Sequence, residues 1–258
     1  MSNMSLFDLT GKVAIVTGGN GGIGLGIARG LASAGARLAI VGRNAEKTRA
    51  AAKVLADESG AEALGLVADV AEESQVGAIV REVAERFGRV DILFNNAGIS
   101  IRKYPQDLEL AEWRKVLDVN LTSAFLMSKA VYPQMKAAGG GKIINIGSLN
   151  SVFGSPYATA YAASKGGIVQ LTKSLALSWV PENIQVNAIL PGWFDTELTQ
   201  QARDQVPGLN EKVLARVPAG RWAKPEDIVG TAIWLSSKAS DFVTGVAVPV
   251  DGGCSVAP

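Results

Sequence analysis

Short apolar runs rich in β-branched residues recur along the chain, separated by longer stretches in which apolar residues return every three or four positions. The runs at 13–16, 38–41, 64–68, 92–94, 143–146, 184–189 and 246–250 read as about seven strands. They are apolar at successive positions rather than alternate ones, as suits strands buried on both faces. The intervening segments 24–33, 45–59, 72–87, 110–137, 159–180 and 225–236 are helix-compatible. The last opens with Pro225 in its first turn, where a missing N–H costs nothing. Strand and helix alternating in this way predict βαβ units and an α/β fold with a central parallel sheet. Residues 195–220 hold two prolines and no strong period. They read equally as a mobile substrate lid or as an ordinary surface loop.

At 258 residues, with no repeat, low-complexity tract or Pro/Ser linker, the chain is expected to be one domain spanning 1–258. Hydrophobic residues make up 48 % and there are 29 glycines, which fits a sheet covered by helices on both sides. The 25 basic and 24 acidic residues nearly cancel, and no basic tract points to nucleic acid or a membrane surface. Residues 1–10 have neither the charged start nor the apolar run of a signal peptide, and no segment is apolar for the ~20 residues a bilayer requires. A single cysteine, Cys254, excludes an intrachain disulfide, and the absence of histidine argues against a protein zinc site. A reducing cytoplasm is the expected location.

Two clusters suggest chemistry. Thr17 through Gly24 (Thr-Gly-Gly-Asn-Gly-Gly-Ile-Gly) follows the first strand and opens a helix. In that setting Gly18, Asn20, Gly21, Gly22, Ile23 and Gly24 form a phosphate cradle: the chain turns tightly, and free N–H groups at the helix start face an anion. Roughly 20 residues on, where an acidic side chain would take the ribose 2′-hydroxyl of NAD, the chain reads Gly42-Arg43-Asn44. The carboxylate is missing and Arg43 suits a 2′-phosphate. NADP(H) is therefore favoured, with NAD(H) left open, because Gly21 supplies no second basic residue inside the cradle. The other cluster is Tyr161-Ala-Ala-Ser-Lys165. Positions four apart share a helix face, so a phenol and an ammonium stand together. A cation there lowers the phenol pKa by roughly 1–3 units and makes tyrosine a usable general acid/base in a chain without histidine.

Taken together, Thr17-Gly-x-x-x-Gly22-Ile-Gly24, Asn95-Asn96-Ala97-Gly98, Asn120, Ser148, Tyr161-x-x-x-Lys165 and Pro191-Gly192 resemble the short-chain dehydrogenase/reductase family over nearly the whole chain. The resemblance implies a Rossmann-type fold with a seven-stranded parallel sheet and a homotetramer, with the helices at 110–137 and 159–180 at the interface. It assigns Tyr161 the proton transfer and Lys165 the tuning of that tyrosine and the nicotinamide ribose. Ser148 would hold the substrate oxygen, and Asn120 a water relaying protons from Lys165. It also implies cofactor contacts at Asp69, Val70, Asn96, Gly98, Pro191, Gly192, Phe194 and Thr196. Phe194 stands where the family often has Ile or Val, a larger ring at the pocket. Two bland readings stand beside these: Asn120 as a helix cap or core amide, and Ser148 as a partner of backbone groups. Hydride transfer to a carbonyl creates an alkoxide, which a hydroxyl and an activated phenol can stabilise and protonate. The nicotinamide carries the hydride, so no metal or nucleophile is needed.

The substrate is written less clearly. By the resemblance, Ser148, Asn150, Tyr161 and Trp193 face it: an amide for hydroxyl groups and a ring to cover an apolar sugar face. Arg102 and Lys103 lie near the strand ends, where a cation could take a carboxylate. The stretch Arg216 to Trp222 resembles segments of gluconate 5-dehydrogenase and deoxygluconate dehydrogenase members. The expected activity is interconversion of a secondary alcohol and a ketone on a sugar acid or polyol. The alternatives are a 3-oxoacyl thioester reductase, a broad-specificity carbonyl reductase and, more remotely, a non-catalytic NADP(H)-binding sensor.

Overall fold

Strand β1 (Val13–Thr17) lies inside a seven-stranded sheet, paired in parallel with β2 (Arg37–Gly42) on one side and β4 (Ile92–Asn95) on the other. The computed structural model describes residues 3–257; residues 1, 2 and 258 of the expected domain lie outside the described residues. The sheet is completed by β3 (Ala63–Val67), β5 (Gly141–Ile146), β6 (Ile184–Pro191) and β7 (Ala247–Val250), in the order β3-β2-β1-β4-β5-β6-β7, all parallel. The strand order reverses between β1 and β4, and open α/β sheets hold their ligands outside the carboxyl ends of the strands at such a point.

Both faces of the sheet are buried. Ala14 and Val16 of β1 join a core with Ile27, Leu31, Leu55, Ile228 and Leu235, under α1 (Gly22–Ser33), α2 (Ala45–Ser59) and the late helix at Val229–Ser236. Val13 and Ile15 face the other way, toward Val76, Ile79, Met127, Val131 and Leu175. That side is covered by α3 (Glu73–Phe87), α5 (Ser123–Ala137) and α6 (Thr159–Trp179). Successive apolar residues thus serve opposite cores, the origin of the unbroken pattern in the sequence. A buried polar ladder crosses β4, β5 and α6: Asn95 Nδ2 donates to Asn145 Oδ1 (2.8 Å), and Asn145 Nδ2 to Thr172 Oγ1 (2.9 Å). It ties the helix bearing Tyr161 to the middle of the sheet.

Three expected segments differ in detail. The helix expected over 110–137 is α4 (Leu110–Leu117) and α5, joined by a π-helical turn at Asp118–Thr122. Hydrophobic spacing hides this one-turn widening, a feature frequent at functional sites. The helix expected at 225–236 starts with a 3₁₀ turn, Pro225–Ile228, before α9 (Val229–Ser236). The aperiodic segment 195–220 contains two helices, α7 (Glu197–Gln205) and α8 (Leu209–Arg216). Each is short, and they bury only Ala202, Leu209 and Val213, too few apolar positions to establish a period. Thr196 starts α7 with a reciprocal side-chain and backbone cap to Thr199.

Candidate active site

A cleft of about 460 Å³ opens at the carboxyl ends of the central strands. Its first wall is the loop from β1 to α1, and Gly18, Asn20, Gly21, Gly22, Ile23 and Gly24 all line it. Asn96, after β4, donates through Nδ2 to Thr17 O (3.0 Å) and Gly18 O (3.1 Å), pinning this loop from the neighbouring strand. A side chain at position 24 would collide with Gly18 O and Asn96 Nδ2. The backbone therefore closes into a compact cradle with α1 beginning beneath it, a fit for the pyrophosphate of a dinucleotide.

At one end, Arg43, Asp69 and Val70 line the cleft. Arg43 Nη1 lies 3.7 Å from Asp69 Oδ2, and its guanidinium is 57 % exposed. The space beside Gly42 is occupied: Asn20 Nδ2 donates to Thr48 Oγ1 (2.9 Å), and a Cβ at position 42 would stand 2.7 Å from Thr48 Oγ1 and against Asn20 Nδ2. Thr48 is fully buried. An acidic side chain for a ribose 2′-hydroxyl is thus missing from the sequence, and one at position 42 would have to displace the Asn20–Thr48 pair.

At the opposite end lie Gly98, Ser148, Tyr161, Lys165, Pro191, Gly192, Phe194 and Thr196. Ser148 follows β5, and its N–H donates to Ser151 Oγ (3.2 Å), which donates in turn to Lys165 O (2.7 Å). That stitch holds the turn bearing Ser148 against α6, the helix bearing Tyr161. Burial raises the Tyr161 pKa, opposed by the hydrogen bond from Ser148 and by the Arg102 charge. Lys165, expected to lower it, instead donates its ammonium to Ile146 O (2.6 Å) and lies 5.7 Å from the centre of the tyrosine ring. Its own pKa is pushed down to about 8 by burial.

Asn120 sits in the π-helical turn, 2 % exposed, and does not line the cleft. Its Oδ1 accepts from Ile99 N–H (2.8 Å), while Nδ2 donates to Ile99 O (2.9 Å) and Ser164 Oγ (3.0 Å). Both amide hydrogens are therefore engaged in fixing the loop after β4 to α6. A Cβ at Gly98 would lie 3.4 Å from Asn120 Oδ1 and 3.7 Å from Lys165 Nζ, so the three positions converge.

Two expected substrate residues lie outside the cleft lining. Asn150 is half-buried in a 3₁₀ turn, its N–H donating to Ser148 Oγ (3.1 Å). Trp193 packs edge-on against Trp222 (5.6 Å between centroids), in a cluster with Leu149, Leu209, Val213 and Val217 beneath α7 and α8. Phe194 is only 1 % exposed, its ring in the core beside Ile189 and Ile228, so it reaches the cleft without narrowing it. The lining also includes Lys47 and Glu197, which pair across the mouth from positions 150 residues apart. No local pattern in the sequence could join them. Among the described residues no group of three or more His, Cys, Asp or Glu could hold a metal ion, and no helix is long and apolar enough to cross a membrane.

A family model described as enoyl-(acyl carrier protein) reductase matches residues 18–255. The 2-dehydro-3-deoxy-D-gluconate 5-dehydrogenase of Dickeya dadantii (strain 3937) is 44 % identical over 253 residues, covering 97 % of this chain and 98 % of that protein. Two crystal structures superpose over nearly full length. The gluconate 5-dehydrogenase of Burkholderia cenocepacia J2315, in complex with NADP and tartrate, has a TM-score of 0.94 at 43 % identity and 99 % coverage of both chains. A short-chain type dehydrogenase/reductase from Mycobacterium marinum has a TM-score of 0.93 at 33 % identity, covering 98 % of this chain and 99 % of that one. This chain belongs to the short-chain dehydrogenase/reductase family. The Rossmann-type sheet of that family is the one described above. Apart from Thr17, Asn95 and Asn120, its motif positions in this chain are gathered from the segments after β1, β4 and β5, from α6 and from the end of β6 around one opening.

Proposed function

We propose that this protein is an NADP(H)-dependent oxidoreductase that interconverts a secondary alcohol and a ketone on a sugar acid, in the manner of the gluconate 5-dehydrogenases. Bound in the cleft, the nicotinamide supplies or accepts the hydride. Tyr161 passes the proton to or from the substrate oxygen at its hydroxyl, and Ser148 donates to the same oxygen. Lys165 holds the nicotinamide ribose from within the protein. Asn120 ties the loop at Ile99 to Ser164, the residue before Lys165, through its three hydrogen bonds, with a proton-relay water as its further role. Asp69, Val70 and Asn96 serve the adenosine side; Gly98, expected there too, lies beside Asn120 and Lys165. Pro191, Gly192, Phe194 and Thr196 serve the carboxamide.

Arg102 carries the substrate reading. Its neighbour Lys103 is neutralised by Glu112 at 2.7 Å. Arg102, half-buried, has no carboxylate partner among the described residues: Nη1 reaches only Gln205 Oε1 (3.3 Å), and its charge is felt at Tyr161. A guanidinium desolvated beside the proton carrier, and lacking an acid, suits the carboxylate of an acidic substrate. Because Gln205 ends α7, the same contact supports α7 and α8, within 195–220, acting as a substrate lid, with Asn150 and Trp193 supporting the pocket beneath it. Exposed apolar side chains, Phe125 on α5 and Leu177 on α6 (45 % and 80 %), support a homotetramer. One buried cysteine suits a reducing cytoplasm.

The test is a substrate panel with purified enzyme. Gluconate or 2-dehydro-3-deoxygluconate turned over with the nicotinamide cofactor, and acetoacetyl thioesters refused, is the expected result. The reverse preference would overturn the sugar-acid reading in favour of a 3-oxoacyl thioester reductase.

A further inference from the structure

Gly21 leaves the phosphate cradle without a basic side chain of its own. Another element fills that place. Lys47, in the first turn of α2, reaches back over the loop, so that a Cβ at position 21 would lie 3.1 Å from Lys47 Nζ and 3.2 Å from its Cε. Its backbone N–H is held by Asn44 Oδ1 (2.9 Å), which fixes the start of the helix and hence the root of the side chain. The ammonium lines the same cleft as Arg43 and Asn44.

The electrostatics of this spot call for an anion. Helix α1 begins at Gly22 beneath the ammonium, α2 begins at Ala45, and α7 begins at Glu197. The positive ends of helix dipoles therefore converge on a cation, an arrangement that is unfavourable unless an anion joins it. The anion in contact is Glu197, whose two carboxylate oxygens lie 2.8 and 2.7 Å from Lys47 Nζ. It is 74 % exposed and displaceable. Charge balance at the adenosine end points the same way. A phosphate monoester carries about −1.5 to −2 charges at neutral pH, whereas Arg43 alone offers +1 and already faces Asp69.

We infer that Lys47 is the second cation of the NADP(H) 2′-phosphate site, supplied from α2 in place of a basic residue at position 21, and that Glu197 competes with the phosphate for it. This rests on the NADP(H) reading above. Lys47 and Arg43 would clamp the phosphate from two sides, while the Asn20–Thr48 pair keeps an acidic side chain out of position 42.

Equilibrium calorimetric titration of NADP⁺ and NAD⁺ into the purified protein tests this without turnover. The wild type binding NADP⁺ more tightly than NAD⁺ satisfies the underlying reading; a preference for NAD⁺ would overturn that reading and this inference with it. Given that preference for NADP⁺, Lys47→Met is expected to weaken NADP⁺ by about ten- to a hundredfold, the size of one charge-assisted bond, and to leave NAD⁺ nearly unchanged. Lys47→Arg restores NADP⁺ binding, and Glu197→Gln tightens NADP⁺ severalfold without affecting NAD⁺. Equal weakening of both cofactors by Lys47→Met would make Lys47 a pyrophosphate contact and overturn the inference, as would no effect on either. Glu197→Gln weakening both cofactors would make the pair a strap between α2 and α7 and would likewise overturn it.

Discussion

Lys165 is a cation kept at 4 % exposure with one backbone carbonyl as its hydrogen-bond partner, and its depressed pKa has a thermodynamic consequence. Below pH 8 the folded and unfolded chains both hold this proton, and the fold bears the full cost of burying the charge. Between about 8 and the ordinary lysine value the unfolded chain still binds the proton while the folded chain has released it, so stability rises with pH by at most roughly 3 kcal/mol. Lys165→Met should therefore unfold at a higher temperature than wild type at pH 7, with the gap shrinking by about pH 10. A gap independent of pH in thermal unfolding scans would show that no such strain exists. At Arg102, replacement by Ala should raise KM for an acidic sugar substrate by about tenfold or more while sparing a neutral polyol. Equal effects on both substrates in initial-rate measurements would remove its role as a carboxylate anchor. That Tyr161 and Lys165 share one helix face was legible because four residues is about one helical turn, and the glycine loop because its glycines crowd into residues 18–24. That Lys165 points to Ile146 rather than to the phenol, and that Lys47 meets Glu197, depends on packing between distant segments and leaves no trace in local spacing.

At the scale of elements, strands were the most readable, since burial on both faces imposes an apolar residue at nearly every position. Helices with broad buried faces, such as α2 and α3, were equally plain. The two helices within 195–220 escaped because eight- and nine-residue helices over a small apolar cluster need few hydrophobic residues. The π-helical turn escaped because one extra residue barely shifts a helical pattern, yet it is the turn that carries Asn120. The junction of β1 and α1 offers a direct test of how elements build the cleft. Gly24→Ala inserts a methyl between Gly18 O and Asn96 Nδ2. It should cost about 1–3 kcal/mol by overpacking, lowering the urea midpoint, and should weaken binding of both cofactors together. Unchanged cofactor affinity would mean that the cradle tolerates being opened.

For the molecule as a whole, the sheet order places the reversal of strand order under the cleft, so that residues following β1 to β6 converge on one opening. Fold class and the cofactor half of the site follow from alternation and motif order. The proposed tetramer is less legible in the chain, because exposed apolar residues such as Leu177 and Phe125 belong to helix faces that also look like ordinary surface. Leu177→Asp should dissociate the proposed tetramer in sedimentation equilibrium without unfolding the subunit; an assembly unaffected by that charge would place the interface elsewhere. The central claim is a proton passed at Tyr161 while hydride moves between the nicotinamide and a sugar acid. Its most direct test is gluconate oxidation with NADP⁺, followed at the nicotinamide absorbance band for wild type and Tyr161→Phe side by side, with NADP⁺ affinity measured on both. Turnover by wild type, a loss of about 10²–10⁴-fold in the variant and equal cofactor affinity is the predicted result. A variant that turns over as fast as wild type would contradict it.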